Sequence, residues 1–469
     1  MKLINPTIRP TRKQEEGWRL LRDNETRFIL FGGGAEGGKS WLGAEWLLTC
    51  CYFYPGSKWF IGRNELTRLM ASSFATFRKV CEHHKIPVDD WKFNGQYHYI
   101  EFTNGSRIDL LDLKYSPSDP MYQRYGSTEY TGGWIEEAGE VHFMAFDVLK
   151  SRVGRWKNEQ FGLAIPKIFL TCNPEQNWLY RIFYKPYKAG TLPQGYAFVQ
   201  SLYKDNPYTI NQSEERLNLI SDPTLRARLK MGLWEYAGGD NALVSYDAII
   251  DLFTNTIPDM NPLKSEHPQK YFSADVARYG SDKITFGTWR GLELFNVTWK
   301  VNRGIDQTAN DIKEILRREQ IPYSHAIADD DGVGGGVVDN LRGIKGFTGN
   351  ASALNKGDKR ENYGNLRSQC AFMLAEYINA HKIAITADID ETTKEMIIEE
   401  LQQLKRLETN TEMALRIIPK DEIKEALGRS PDFSDMMMMR MYFEMDKTAA
   451  FKMNTNVGGI RPLIPGLLA

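Results

Sequence analysis

The stretch GGAEGGKS at residues 33–40 constrains the fold more than any other feature of the sequence. It satisfies G-x-x-x-x-G-K-[S/T], with the apolar segment RFILF before it and apolar residues at helical spacing after it. In this strand–loop–helix setting, glycines such as Gly33 and Gly38 let backbone N–H groups turn toward phosphate oxygens, and the helix N-terminus adds a favourable dipole. The alternative is a glycine-rich turn that carries a lysine by chance. The flanking elements favour a phosphate site, in which Lys39 contacts the β- and γ-phosphates of a nucleotide and Ser40 ligates Mg²⁺.

Acidic and amide side chains farther along the chain supply the other parts of such a site. GGWIEEAGE places Glu136 and Glu137 where an apolar strand ends. We expect the first carboxylate to bind the Mg²⁺ shell and the second to polarise the attacking water. KIFLTCNP ends a buried strand with Thr171 and Asn173, which would lie beside the γ-phosphate, and Gln14 would read an adenine edge. Each pattern also has a structural interpretation when taken by itself. The acidic pair is typical of a solvated helix start, and Asn-Pro is typical of the turn after a strand.

The order of patterns predicts an α/β protein with two folded parts. Strands alternate with helices in the first half, which indicates a mostly parallel sheet covered by helices, over residues 1–236. Residues 237–270 have little periodicity and are interpreted as a linker. Three consecutive strands open a second domain over residues 271–450, and residues 451–469 are predicted to be a flexible tail.

Composition excludes several classes of protein. No apolar run approaches the roughly 18 residues that a membrane span needs. The net charge of −1 offers no global attraction to nucleic acid, so DNA contacts must come from local patches. The five cysteines have no CxxC spacing, which predicts reduced, buried thiols in a cytosolic protein.

Three groups of aspartates in the second half suggest a second chemistry. Asp275 sits inside the apolar strand YFSADVA, residues 329–331 form DDD after a strand, and Asp432 and Asp435 open a methionine-rich helix. A carboxylate within an apolar strand is costly unless a metal or hydrogen bonds compensate it. If the three groups converge across a sheet, they form an oxygen site suited to Mg²⁺ or Mn²⁺, in which two metals about 4 Å apart would support phosphodiester cleavage. Each group also has a structural interpretation, as a solvated loop or a helix cap.

Taken together, GGAEGGKS, WIEEAGE, LTCNP and DNPY occur in the order found in the large terminase subunit of tailed bacteriophages, which the chain resembles over nearly its whole length. The resemblance implies a RecA-like, additional-strand P-loop ATPase domain, followed by a ribonuclease H-like nuclease domain. It implies ATP and Mg²⁺ at the first site, and Mg²⁺ or Mn²⁺ at the second. It also assigns the nuclease acids to Asp275, Asp329 and Asp435, with Asp331 a close rival of Asp329 and Asp432 a lesser rival of Asp435.

The chain departs from this family at one position. Many members place an arginine inside the P-loop, where this chain has Ala35 and Glu36. The arginine that stabilises the transition state is therefore unassigned, and it could come from a neighbouring subunit. The candidates within the chain are Arg63, Arg124, Arg152 and Arg155.

The resemblance also implies partners: double-stranded DNA, a portal protein, a small terminase subunit, and about five copies on the portal, with a monomer plausible in solution. The expected location is the host cell cytoplasm. Basic residues in the polar segment NKGDKRENYGNLRSQ and just before the third acid group are candidates for contacts with the DNA backbone. The C-terminal IRPLIPGLLA is a candidate for portal docking. These basic residues are Lys356, Lys359, Arg360, Arg367, Lys420, Lys424 and Arg429, with Tyr363 among them.

Three functions compete for this sequence. The leading hypothesis is a viral motor that hydrolyses ATP, moves double-stranded DNA into a procapsid and cuts concatemers with its nuclease. A repair helicase–nuclease would use the same two chemistries, but the second RecA-like domain that helicases usually carry has no counterpart in the sequence. A nucleotide-binding scaffold would require the Lys39–Glu137 pair and the aspartate groups to be coincidental.

Overall fold

The computed structural model describes residues 9–116, 118–235, 241–257, 269–276, 283–331, 334–354, 362–407 and 414–445. The chain forms two compact units, Met1–Ala237 and Gly238–Ala469. The predicted tail, residues 237–240 and 258–268 of the predicted linker, and three of the predicted DNA-binding residues (Lys356, Lys359 and Arg360) lie outside the described residues.

The first unit is built on an eight-stranded sheet with the order β3-β4-β5-β2-β6-β7-β1-β8. Strand β1 pairs in parallel with β7 and β8, and β6 lies between β7 and β2, again in parallel. One additional strand therefore separates the strand before the P-loop from the strand before the acidic pair. The strands are β1 Phe28–Gly32, β2 Lys58–Arg63, β3 Trp91–Asn94, β4 Tyr99–Phe102, β5 Arg107–Asp112, β6 Gly132–Ile135, β7 Ile168–Cys172 and β8 Tyr196–Gln200.

Helices cover this sheet, and two of the helical segments are π-helix. Leu69–Phe74 joins two α-helices, and Tyr180–Tyr184 follows a turn and leads into an α-helix. Helix α2 follows the P-loop and is apolar around most of its circumference, so its residues are buried almost throughout. The helices are α1 Arg12–Arg22, α2 Lys39–Phe53, α3 Leu66–Arg68, α4 Ala75–His83, α5 Phe143–Lys150, α6 Lys185–Lys188, α7 Ile210–Asn218 and α8 Pro223–Met231.

Close packing of α2 on the sheet requires a glycine at one position. A Cβ added to Gly43 would lie 2.5 Å from the Trp134 ring, so the helix could not lie as close to β6 with any larger residue. Trp134 is fully buried, in a core cluster that includes Phe169 and Leu47. Each fully buried side chain of this size contributes about 1.5–3 kcal/mol to stability.

The second unit contains a six-stranded sheet with the order β13-β12-β9-β10-β11-β14. Strands β9, β10 and β11 form an antiparallel meander, and β12 and β13 add in parallel on the other side of β9. This order and direction are those of a ribonuclease H-like fold, as predicted. The strands are β9 Lys270–Asp275, β10 Ile284–Arg290, β11 Glu293–Lys300, β12 Ala326–Asp329, β13 Lys345–Phe347 and β14 Ala384–Ile385.

The structure modifies two details predicted for the second half. The predicted linker contains a helix, α9 Tyr246–Asp251, whose Ala248 and Ile249 are buried. The predicted strand in MALRIIP makes isolated bridges through Leu415 and Ile417. The remaining helices are α10 Ile305–Glu319, α11 Gly334–Asn340, α12 Leu366–Asn379, α13 Glu391–Gln402, α14 Lys420–Leu427 and α15 Asp432–Arg440. Among the described residues, no helix is both long enough and apolar enough to cross a membrane.

Candidate active sites

The predicted ATPase residues meet at one edge of the first sheet. Strands β1, β7 and β6 are parallel neighbours, so the P-loop, Asn173 and the acidic pair follow their carboxyl ends side by side. This edge is where parallel α/β sheets bind ligands. The N–H groups of residues 36–40 have no hydrogen-bond acceptor within the described parts of the chain, as expected of a loop that binds phosphate.

Lys39 is buried at the centre of this edge. Its ammonium donates to the carbonyl oxygens of Gly33 and Gly34, and at 3.2 Å to Asn173 Oδ1. Burial lowers the pKa of Lys39, and the charge of Glu137 opposes that shift. Lys39 is therefore held by its own loop, and Asn173 links it to the neighbouring strand.

Glu136 and Ser40 form the part of the site that fits a magnesium ion. Burial raises the pKa of Glu136 to about 6, although a hydrogen bond with Ser40 and the charge of Arg63 lower it. Arg63 Nη1 lies 3.7 Å from Glu136 Oε2. That buried oxygen has no hydrogen-bond partner in the described structure, so a hydroxyl and an unsatisfied carboxylate oxygen lie together, which are ligands that Mg²⁺ prefers.

Glu137 faces the lysine side of the same edge. Asn173 Nδ2 donates to both of its carboxylate oxygens at 3.4 Å. Burial raises the pKa of Glu137, against the effect of Lys39 and Arg63. Its backbone is left-handed, with φ 46°, which is uncommon for glutamate. A carboxylate held in this way is suited to accept a proton from water.

Thr171 and Gln14 make other contacts than those predicted from the sequence. Thr171 Oγ accepts a 3.0 Å hydrogen bond from the indole of Trp134 on the neighbouring strand, and both side chains are buried. Gln14 Nε2 donates to the carbonyl of Gly38 at 3.0 Å, while its Oε1 caps helix α1 through Thr11. Thr171 therefore joins two strands, and Gln14 supports the P-loop.

The P-loop itself is fixed by β8 and the segment that follows it. Ser201 Oγ donates to the Gly37 carbonyl at 2.8 Å, and Ser201 N donates to the Gly32 carbonyl. Gly33 has φ 144°, and a Cβ there would lie 2.1 Å from the Ser201 carbonyl oxygen. Only glycine fits this position.

In the second unit, two of the predicted nuclease acids end adjacent strands. Ala274 on β9 pairs with Ala328 on β12 in parallel, so the next residues, Asp275 and Asp329, lie side by side. Burial raises the pKa of Asp275 well above its usual value, with Lys420 opposing. Burial also raises the pKa of Asp329 to about 6. A buried carboxylate and a partly buried one this close are costly without a cation.

Helix α15 brings the third acid, and α14 brings a cation. Lys420 Nζ lies 2.6 Å from Asp435 Oδ2 and 3.8 Å from Asp275 Oδ2. Burial would raise the pKa of Asp435, but Lys420 and Arg367, which is 3.4 Å away, hold it below its ordinary value. Burial alone would lower the pKa of Lys420, but the neighbouring carboxylates outweigh it and raise the pKa above its usual value. Lys420 therefore supplies positive charge at the centre of the acid group.

The rival aspartates serve the surrounding structure. Asp331 is exposed and accepts from the Gly349 N–H at 2.9 Å. Asp432 accepts from the Lys283 N–H at 3.1 Å, and its carbonyl accepts from Thr285, which ties α15 to β10. Over the described ranges, no three His, Cys, Asp or Glu side chains form a ready metal site. Asp275, Asp329 and Asp435 lie near one another, but the Lys420 ammonium contacts Asp275 and Asp435, and the three carboxylates do not converge on one metal position.

A buried ion pair holds the start of α15. Glu400 on α13 accepts from the Ser434 N–H at 2.8 Å, and its other oxygen contacts the Arg429 guanidinium. Burial raises the pKa of Glu400 to about 7, partly offset by Arg429. The prediction that Arg429 contacts DNA is wrong, because its guanidinium is buried against Glu399 and Glu400.

Most of the acids lie where the sequence predicted, whereas most of the residues that contact them were not predicted. Lys420 was expected at DNA, and Trp134 and Arg228 were not expected at the sites. Arg228 donates to the Pro174 carbonyl at 2.8 and 2.9 Å, next to Asn173. Of the four candidate arginines, Arg63 lies within ion-pair distance of Glu136, whereas Arg124 is bonded to its own loop. No local pattern marks such contacts.

Comparison with known families gives a match within the first unit. A family model described as phage terminase large subunit matches the sequence from residue 24 to residue 220. The matched segment lies within the first unit and covers less than half of the chain. No curated protein matches the sequence significantly.

Solved terminase structures are also similar to this chain. The large terminase of a thermophilic bacteriophage, in complex with ADP, is 13% identical, with 92% of this chain and 100% of that chain covered and a TM-score of 0.40. The same protein with ATP-gamma-S gives 13% identity, 92% and 99% coverage, and a TM-score of 0.39. The nuclease domain of the large terminase subunit gp2 of bacterial virus Sf6 is 19% identical, covers 43% of this chain and 98% of its own, and has a TM-score of 0.36.

Proposed function

We propose that this chain is the large terminase subunit of a tailed bacteriophage, which uses ATP to move double-stranded DNA into a procapsid and cuts concatemers with its second domain. The observation that carries the proposal is that each sheet gathers one catalytic set at one edge. Lys39, Glu136, Glu137 and Asn173 lie at the first. The family match of residues 24–220 supports the same function.

At the ATPase site, the residues of this chain divide the work. Lys39 and the free N–H groups of residues 36–40 bind the phosphates, and Lys39 exchanges its loop carbonyls for phosphate oxygens. Ser40 and Glu136 would hold the Mg²⁺ that neutralises those oxygens. Glu137 orients the attacking water and receives its proton, and Asn173, bonded to both Glu137 and Lys39, links the two halves of the site.

At the nuclease site, Asp275, Asp329 and Asp435 would hold divalent cations, either Mg²⁺ or Mn²⁺. When bound, such ions polarise the scissile phosphate and lower the pKa of water. The Lys420 ammonium now neutralises Asp275 and Asp435. It must withdraw from these carboxylates before they can bind a cation, and its charge is then free to meet the DNA phosphate.

The proposed partners are DNA, a portal protein and a small terminase subunit, with about five copies of the chain around the portal and a monomer in solution. The proposed location is the host cell cytoplasm. Tyr363, Arg367 and Lys424 remain proposed DNA contacts.

The ATPase assignment is tested with full-length protein by phosphate release. Lys39→Ala and Glu137→Gln should each lower kcat by at least about 100-fold. The matched controls Lys79→Ala and Glu82→Gln alter exposed positions of α4 and should leave kcat unchanged. Wild-type protein without DNA-stimulated or basal ATPase activity would contradict the assignment.

A packaging assay separates the motor from a repair enzyme. Procapsids carrying the portal should protect DNA from added nuclease when wild-type protein and ATP are present, and Lys39→Ala should abolish this protection. Asp275→Asn should retain ATPase activity and protection of linear DNA but lose cleavage of supercoiled plasmid with Mn²⁺. Asp339→Asn, at an exposed position, is the control. Unwinding of a duplex by the wild type, without protection, would favour the helicase–nuclease.

A further inference from the structure

The P-loop of this protein contains an acid at a position where negative charge opposes the ligand. Glu36 lies in the middle of residues 33–40 with a left-handed backbone, φ 62°. A nucleotide triphosphate brings several negative charges to this loop, so an unpaired carboxylate here would repel it. The side chain of Glu36 is 29% exposed, which leaves only partial screening by water.

Helix α7 supplies the counter-charge for this acid. Arg216 Nη2 lies 2.6 Å from Glu36 Oε2, and the buried hydroxyl of Ser213 donates to the same oxygen. Burial raises the pKa of Glu36, but Arg216 and Ser213 outweigh it, so the net pKa is lowered. Glu36 is therefore ionised at neutral pH.

Other bonds hold the helical segment of residues 205–231 on the loop. Asn206 Nδ2 donates to the Glu36 carbonyl at 2.9 Å, and Ala35 N–H donates to the Leu229 carbonyl at 2.8 Å. These contacts come from before α7 and from within α8. Arg216 is thus placed at the P-loop by its helix and by Glu36 together, 180 residues away in sequence.

The guanidinium of Arg216 has donors left for a second acceptor. Its side chain is 57% exposed, and its recorded contact with Glu36 uses one of five N–H groups. We propose that Arg216 binds the terminal phosphate of ATP and that Glu36 is the residue that positions it. This inference rests on the proposed ATPase function, and it assigns in cis the arginine that the P-loop sequence lacks.

A double-mutant cycle on the full-length protein tests the proposal. Arg216→Ala should lower kcat for ATP hydrolysis by at least about 100-fold, as expected for an arginine that meets transition-state charge. Glu36→Gln should lower kcat less, because Arg216 is still placed by its helix and loses only the carboxylate that orients its guanidinium. The double variant Glu36→Gln/Arg216→Ala should be as slow as Arg216→Ala alone.

Recovery of activity in the double variant would overturn the proposal, because it would show that Arg216 only neutralises Glu36. A second readout is nucleotide binding: Arg216→Ala should weaken ATP-gamma-S more than ADP, and equal weakening would also overturn it. Glu215→Gln, at an exposed position of the same helix, should behave as the wild type in both assays. If the wild type hydrolyses ATP and Arg216→Ala has the same kcat, the inference about Arg216 is wrong but the proposed ATPase function stands. If the wild type does not hydrolyse ATP, the proposed ATPase function itself is wrong.

Discussion

Replacing Thr171 with valine tests whether this residue acts in structure or in phosphate sensing. The hydroxyl accepts the indole N–H of Trp134 at 3.0 Å, and the two side chains are 1% and 0% exposed. Valine has nearly the volume of threonine, so no cavity forms and the change isolates the hydrogen bond. Leaving a buried donor without an acceptor costs about 1–3 kcal/mol.

We therefore expect Thr171→Val to lower the free energy of unfolding of the first unit by about 1–3 kcal/mol. For a unit of this size, the thermal midpoint should fall by roughly 2–12 °C. The kcat for ATP hydrolysis, measured below the transition, should remain within about threefold of the wild type, which corresponds to less than about 0.7 kcal/mol in the barrier. Thr171→Ser keeps the hydroxyl and should recover much of the stability.

We also expect the effects of substitutions at Thr171 and Trp134 on the free energy of unfolding to be coupled. Trp134→Phe removes the donor and a large ring, so it destabilises by itself. In the double variant with Thr171→Val, however, no buried donor is left without an acceptor, so the combined loss should be smaller than the sum of the two single losses. A fall in kcat of about 100-fold with unchanged stability would refute this account, and would instead place the hydroxyl at the phosphate.

Three further predictions concern other parts of the two units. Gly33→Ala should destabilise the first unit and reduce nucleotide affinity, measured by titration calorimetry, because the added carbon would lie 2.1 Å from the Ser201 carbonyl oxygen. Gln14→Ala removes a contact with Gly38 and part of a helix cap, and should cost about 1–2 kcal/mol by urea unfolding, with weaker ATP binding. The pKa of Glu400 is about 7 in the folded protein against an ordinary 4.5, so folding favours its protonated form. Relative to Glu400→Gln, the wild type should therefore lose about 3 kcal/mol of unfolding free energy as the pH rises from about 4 to about 8. A flat difference across that range would contradict the raised pKa.

The sequence predicted the fold class because local signals and the fold agree over long stretches. A strand, a glycine loop and an apolar helix follow one another at residues 28–53, and the structure has them in that order. Asn104-Gly105 between two apolar runs is a hairpin pattern, and the φ of 82° at Gly105 is the left-handed conformation that glycine allows. Both features depend only on neighbouring residues.

The positions of the acids were predictable for a related reason. Asp275, Asp329 and Glu136 each follow an apolar run, and a run of buried residues fixes both the strand and its end. A carboxylate at that point lies at a sheet edge whatever the rest of the chain does. The predicted linker went wrong for the opposite reason: a helix of six residues, Tyr246–Asp251, is too short to show a period.

Partners separated by many residues were not predictable, because nothing local specifies them. Glu36 and Arg216 are 180 residues apart, and Lys39 and Asn173 are 134 apart. Each pair depends on which strands become neighbours. Gln14 illustrates the same limit, since its helix cap is visible in the sequence while its contact with Gly38 is not.

Lys420 and Arg429 show why a basic patch in sequence does not define a DNA surface. Both were predicted to bind phosphates, and they lie nine residues apart, at the first residue of α14 and just after its end. Helix α14 begins at Lys420, which faces Asp435, and ends before Gly428, whose φ of 69° turns the chain inward. Arg429 then reaches Glu400 in the core, where breaking the pair would leave a buried charge at a cost of about 3–5 kcal/mol. Lys420 is 36% exposed, so it can leave its carboxylates for phosphate oxygens, whereas Arg429 at 5% cannot. Of the two predicted DNA contacts, burial therefore excludes Arg429 and leaves Lys420 as a proposed one.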